Sequence, residues 1–166
     1  MQLVIIVMIV SFFLESMVSN LISIDSQLLI PLFTIVSLVI IYPYFKKDHI
    51  SYLKTAAVLG LFYDIVFTDT LIVNLFLFVF TAWFIHKMNY LLSNNYFNVA
   101  IMTMLAITFY RIISFIALIL IGYLHFSVFA LLRGITSSLL LNVIYAIIVY
   151  AITDHISRKH HIVKID

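Results

Sequence analysis

The placement of the cations constrains this chain more than any other feature of its sequence. Seven of the nine basic residues, Lys46, Lys47, Lys54, Lys87, Arg158, Lys159 and Lys164, fall in three short polar segments separated by pairs of long apolar stretches. A pair of stretches that leaves one basic segment and returns to the next is a pair of membrane crossings, so the pattern predicts both the number of spans and their direction. The other two cations, Arg111 and Arg133, are left within apolar sequence. A chain that is 65% hydrophobic and 10% charged, with a mean hydropathy of +1.22, cannot hide so much apolar surface by folding in water. At about 20 apolar residues per crossing, 166 residues allow six spans and no separate soluble domain. The absence of cysteine excludes disulfides, thiolate chemistry and Cys-ligated zinc. The expected fold class is an all-α integral membrane protein, a single six-transmembrane-helix bundle.

The spans are expected at about 3–22, 28–45, 51–67, 71–85, 99–121 and 126–153, followed by a basic tail over 154–166. The first run has no Lys or Arg ahead of it and no small-residue cleavage pattern after it, and so reads as a span rather than a removable signal. Asp25, Ser26 and Gln27 form a turn, and Pro31 is expected in the first turn of the second span, where its missing N–H costs least. Thr68, Asp69 and Thr70 make a helix-capping cluster in a tight hairpin between spans three and four. The connector over 86–98 carries Lys87 together with the apolar Met88, Tyr90, Leu91 and Leu92, which suits an interfacial segment. One face then holds the seven cations and the other only Asp25, Asp69 and His125, which predicts that both termini are cytoplasmic. Tyr42, Tyr44, Tyr52, Trp83 and Tyr90 fall at the basic border, as interfacial aromatic rings should.

Counted at 1.5 Å per residue from the basic border, Glu15, Asp64, Arg111 and Arg133 all come out roughly 20 Å deep. An unpaired charge at the centre of a span costs about 2.5–3.5 kcal/mol, and each Leu, Ile, Phe or Val offsets about 0.3–0.6. The first span holds thirteen such residues, so insertion is favourable even with Glu15, yet an orientation toward lipid is not. Polar neighbours at helical spacing support inward faces. Glu15 has Ser11 and Ser19 four residues away, Arg111 has Thr108 and Ser114 three away, and Arg133 has Ser137 four away. Gly60, one turn from Asp64, allows a neighbouring helix to approach closely. The expectation is an intramembrane charge cluster of Glu15, Asp64, Arg111 and Arg133, with Gly60 and Ser137 as helix-packing residues. Such a cluster serves either as interhelical bridges that fix the bundle or as a polar pocket or docking site on the side away from the cations. A proton relay is not indicated, because the half nearer the cations has no chain of titrating groups.

Other features point to less. His155, His160 and His161 sit among Arg and Lys in the tail, a composition that suits an anchor on anionic lipid better than a metal site. His86 and His125 fall at opposite borders. Asn74 and Asn142 suit interhelical hydrogen bonds. No nucleophile elbow, HExxH, phosphate loop or acidic pair at metal-ligand spacing is present, so no enzyme, cofactor or metal is expected, and the border cations give no reason to expect nucleic acid.

Glu15-Ser16 late in the first span, Leu28-Leu29-Ile30-Pro31 opening the second, and Gly60-Leu61-Phe62-Tyr63-Asp64-Ile65 followed by Thr68-Asp69-Thr70-Leu71 resemble the bacterial rod-shape-determining protein family MreD, in its Gram-positive form. Size, span number and termini agree along the whole chain, with the specific motifs in its first half. One departure is Ile72, where the family commonly has a small residue such as Gly. The resemblance implies a non-enzymatic scaffold of the cell-elongation machinery that partners a single-span MreC-like protein and is linked to a SEDS-type glycosyltransferase and a class B penicillin-binding protein. It also implies likeness to the six-helix S components of energy-coupling-factor transporters, and hence an alternative function as a vitamin-type binding subunit. The short external loops leave little material for a ligand lid, which favours the scaffold.

Overall fold

The computed structural model describes residues 2–21, 29–68, 72–89 and 95–159. The expected turn at 25–27, residues Asp69 and Thr70 of the hairpin, connector residues 90–94 and the tail from 160 onward, with His160, His161 and Lys164, lie outside them. The helices are α1 (Gln2–Leu21), α2 (Phe33–Ile41, continued by a 3-10 turn Tyr42–Tyr44), α3 (His49–Phe67), α4 (Val73–Asn89), α5 (Tyr96–Leu120) and α6 (Val128–Lys159). Helices α1, α3, α5 and α6 are long and apolar enough to cross a membrane. Helix α3 packs chiefly on α4, and α5 on α6, while α2 touches α1, α4, α5 and α6.

The outer surface is apolar, and most of the chain's polar membrane-level side chains are turned inward, into an otherwise apolar core. Phe13, Phe62, Phe76, Phe97, Leu120 and Phe129 are exposed, whereas Ser11, Glu15, Thr34, Asp64, Asn74, Ser138 and Asn142 are buried. Only a hydrocarbon solvent makes that arrangement favourable, which establishes a multi-pass membrane protein. Helix α2 is apolar around its circumference and all nine of its residues are buried, as a helix surrounded by others requires.

Two elements depart from expectation. The second span is not helical over its first described residues. Residues 29–32 are non-helical, Pro31 precedes the helix, and α2 proper covers only about 14 Å at 1.5 Å per residue, half the hydrocarbon thickness. Helix α6 continues through Lys159, so the first part of the expected tail is helical. Tyr52 also departs from its interfacial role: it is fully buried and its hydroxyl donates to the Leu38 carbonyl at 2.9 Å.

Local chemistry fixes the ends. Asp48 caps α3, accepting from the Ser51 backbone N–H at 3.1 Å and the Ser51 hydroxyl at 2.6 Å, and these bonds hold its carboxyl below the usual carboxylate range. Helix α5 closes on Gly122 at φ +85°, with Gly122 N–H donating to Ile119 O at 3.0 Å and Tyr123 N–H to Leu118 O at 2.9 Å. Immediately before α4, Ile72 stands at φ 74°, in the left-handed region where a β-branched side chain is strained by about 1–2 kcal/mol. Its side chain is exposed, so nothing is lost when it is removed. Ile72→Gly should therefore raise the denaturation midpoint of the purified protein, by the equivalent of about 1 kcal/mol.

Candidate functional site

Helix α2 begins in the interior, so its first N–H groups and the backbone just before it need partners from the protein itself. Leu32, at the N-cap, has no side chain that can supply one. Glu15 of α1 does so instead. Its Oε2 accepts from the Thr34 backbone N–H and from the Thr34 hydroxyl, both at 2.7 Å, and its Oε1 accepts from the Tyr63 hydroxyl of α3 at 2.8 Å. Asn142 of α6 completes the set: its Oδ1 accepts from Leu32 N–H at 2.7 Å and its Nδ2 donates to Ile30 O at 2.8 Å. Ile30 N–H donates to the Ser137 carbonyl at 3.1 Å, and Pro31 has no N–H to satisfy. The break in the second span is thus paired at Ile30, Leu32 and Thr34 by groups from α1 and α6.

Asp64 does the same for α4. Its Oδ1 accepts from Asn74 N–H at 3.1 Å and Asn74 Nδ2 at 3.0 Å, and its Oδ2 accepts from Leu75 N–H at 3.0 Å. Asn74 and Leu75 are the second and third residues of α4, the positions a capping side chain serves. Gly60 makes this possible, because a Cβ there would lie 2.5 Å from Asn74 O and 2.7 Å from Leu75 Cα. The two helices meet backbone to backbone one turn from Asp64. Each buried carboxylate therefore bonds the first N–H groups of a helix, at its positive end, and neither forms an ion pair with a described cation.

The layer continues through α5 and α6. The Tyr110 hydroxyl donates to Asn74 Oδ1 at 2.9 Å, and Arg111 donates through Nε at 2.9 Å and Nη2 at 2.7 Å to the Ser138 hydroxyl oxygen. The Ser138 hydroxyl in turn donates to Gly134 O at 2.7 Å. All six helices contribute to one polar network, and Glu15, Asn74, Tyr63, Tyr110 and Arg111 line a single cavity of about 360 Å³.

A family model described as rod shape-determining protein MreD matches residues 1–159. The chain belongs to the MreD family. No curated protein and no solved structure matches it, so the likeness to S components rests on the family resemblance alone. Membership gives this membrane protein a role in rod-shape determination.

In this MreD-family chain the expected cluster is corrected in two respects. Glu15, Asp64, Arg111 and Arg133 form no ion pair with one another; the ion pair between described residues is Arg158 with Asp154 at 2.9 Å, away from the cluster. Arg133 does not join the layer at all. It is exposed, since it lies five residues from Ser138 and so about 140° around α6 from the inward face. Ser137 ties α6 to the non-helical stretch before α2 through its carbonyl, while its hydroxyl donates to the Arg133 carbonyl. Asn74 and Asn142 make the interhelical bonds expected of them. Thr34, Tyr63, Tyr110 and Ser138 were not singled out by sequence. The signal for Thr34 is its place three residues after Pro31, where a helix start lacks a local cap.

Because Asp64 is held by N–H groups, charge exchange should not restore it. Asp64→Ala leaves two buried N–H groups unpaired, at about 1–3 kcal/mol each, and should lower the accumulation of folded protein. Asp64→Arg combined with Arg111→Asp or with Arg133→Asp should accumulate no better than Asp64→Arg alone, as read by fluorescence-detected size exclusion.

Proposed function

We propose that this MreD-family chain is a non-enzymatic membrane scaffold of the cell-elongation machinery. It binds an MreC-like single-span protein and helps to position the SEDS-type glycosyltransferase and the class B penicillin-binding protein. The observation that carries this reading is that both buried carboxylates accept from backbone N–H groups at helix starts, a structural task that holds the bundle together. What such a bundle offers a partner is a fixed outer surface. A groove between α4 and α5, about 480 Å³ and walled by Phe76, Phe80, Phe109, Ile113 and Ala117, has the apolar lining a transmembrane helix packs against. The cavity of the polar layer, about 360 Å³, is at the small end of ligand sites and speaks against a vitamin.

The proposed site of action is the plasma membrane with both termini cytoplasmic, supported by Lys46, Lys47, Lys87, Arg158 and Lys159 at one end of the bundle. The chain has no cysteine, so single introduced cysteines report the side directly. Tyr123→Cys should react with an impermeant maleimide in intact cells, and Lys47→Cys only after permeabilisation.

Purification of the tagged chain from mild detergent should retain a single-span protein with a large outer domain. Ala117→Trp, which fills the groove, should lower that retention at least fivefold without changing accumulation. Failure to retain such a partner, or saturable vitamin binding by the purified protein, would remove the scaffold reading; undiminished retention by Ala117→Trp would remove the groove.

A further inference from the structure

The guanidinium of Arg111 is partly buried at the level of the polar layer, with one neutral partner. Of its five N–H groups, two meet the Ser138 hydroxyl oxygen, and that oxygen is then saturated because it also donates to Gly134 O. Among the described residues the other three N–H groups have no acceptor. Glu15 lines the same cavity, yet the two charges do not form an ion pair. Three of the four acceptor positions of the Glu15 carboxylate are filled by Thr34 and Tyr63, and one on Oε1 is open. Between these opposite charges the cavity has about 360 Å³, room for a small molecule and roughly ten times the share of one liquid water. Ser19 and Ser114 add hydroxyls to the wall.

From this count we propose that the cavity binds a small zwitterionic group, with a phosphate or carboxylate on the fork of Arg111 and a primary ammonium on Glu15. Three donors match an anion with two accessible oxygens, and one acceptor matches one ammonium N–H. A lone anion would leave Glu15 repelling it, and a lone cation would leave Arg111 unmatched. A quaternary ammonium has no N–H to give. The chemistry is shared by the headgroup of an aminophospholipid and by a free amino-acid-like or phosphoethanolamine zwitterion. The site does not depend on the scaffold reading, since it involves no residue of the α4–α5 groove wall named above.

The test uses the full chain in phosphatidylcholine nanodiscs, with retained lipid read by native mass spectrometry. Phosphatidylethanolamine should be retained at least tenfold over phosphatidylglycerol, which lacks the ammonium, and over phosphatidylcholine, which lacks the N–H. Arg111→Lys, which keeps the charge and loses the fork, should reduce retention about tenfold. Ser114→Leu fills the cavity while leaving the hydrogen-bonded layer intact, and should abolish retention with no loss of thermal stability; it decides the matter if the Arg111 variant does not fold. Competition by free phosphoethanolamine assigns a soluble zwitterion, and binding of the lipid without such competition assigns a headgroup; either supports the site. Equal retention of the three lipids without saturable binding of phosphoethanolamine, or binding undiminished in Ser114→Leu, overturns it.

Discussion

A helix that begins in the interior of a membrane protein exposes N–H groups that water cannot reach, and the architecture of this chain follows from how those groups are paired. Helix α2 starts at Phe33, after a short non-helical stretch, with no capping side chain of its own. Glu15 and Asn142 reach it from α1 and α6, so the first and last helices are tied to the central one at the point where it is broken. Helix α4 starts against α3, where Gly60 removes the side chain that would keep the two apart and Asp64 supplies the acceptors. The acids are thereby neutralised by peptide dipoles held at fixed positions, which asks for no matching cation.

That arrangement releases Arg111 from the role of counter-charge. Its bond to Ser138 joins α5 to α6, and Tyr110 beside it joins α5 to α4 through Asn74. One layer of side chains therefore crosses every helix. A bundle stitched at one level has a fixed outline. For a member of a rod shape-determining family, that outline is what a neighbouring protein would meet.

Much of this was legible in the sequence. Hydropathy separated the helices because apolar runs and basic segments alternate, and Gly60 with Asp64 stood out because a small residue one turn from a buried acid marks close packing. Asn74 and Asn142 were identifiable as polar groups in apolar runs. The start of α2 was not legible: Pro31 suits a first turn equally well, and what decides the break is partners 19 and 110 residues away in sequence. The facing of Arg133 carried a signal that depth alone did not use. Ser138, Asn142, Ala146, Tyr150 and Thr153 form the buried stripe of α6, and its backward extension passes through Gly134, leaving Arg133 on another face. The left-handed backbone at Ile72 stands at the position where the family resemblance implies a small residue, and a residue without a β-branch is what that backbone favours.

Amide hydrogen exchange in nanodiscs, resolved at Thr34, Asn74 and Leu75, measures the trans-capping most directly. Asn74 and Leu75 should lose protection in Asp64→Ala, and Thr34 should lose it in Glu15→Ala, while Arg111→Gln leaves all three protected. Loss of protection at these amides in Arg111→Gln, or its survival in both alanine variants, would contradict the claim that the buried acids act by holding helix ends.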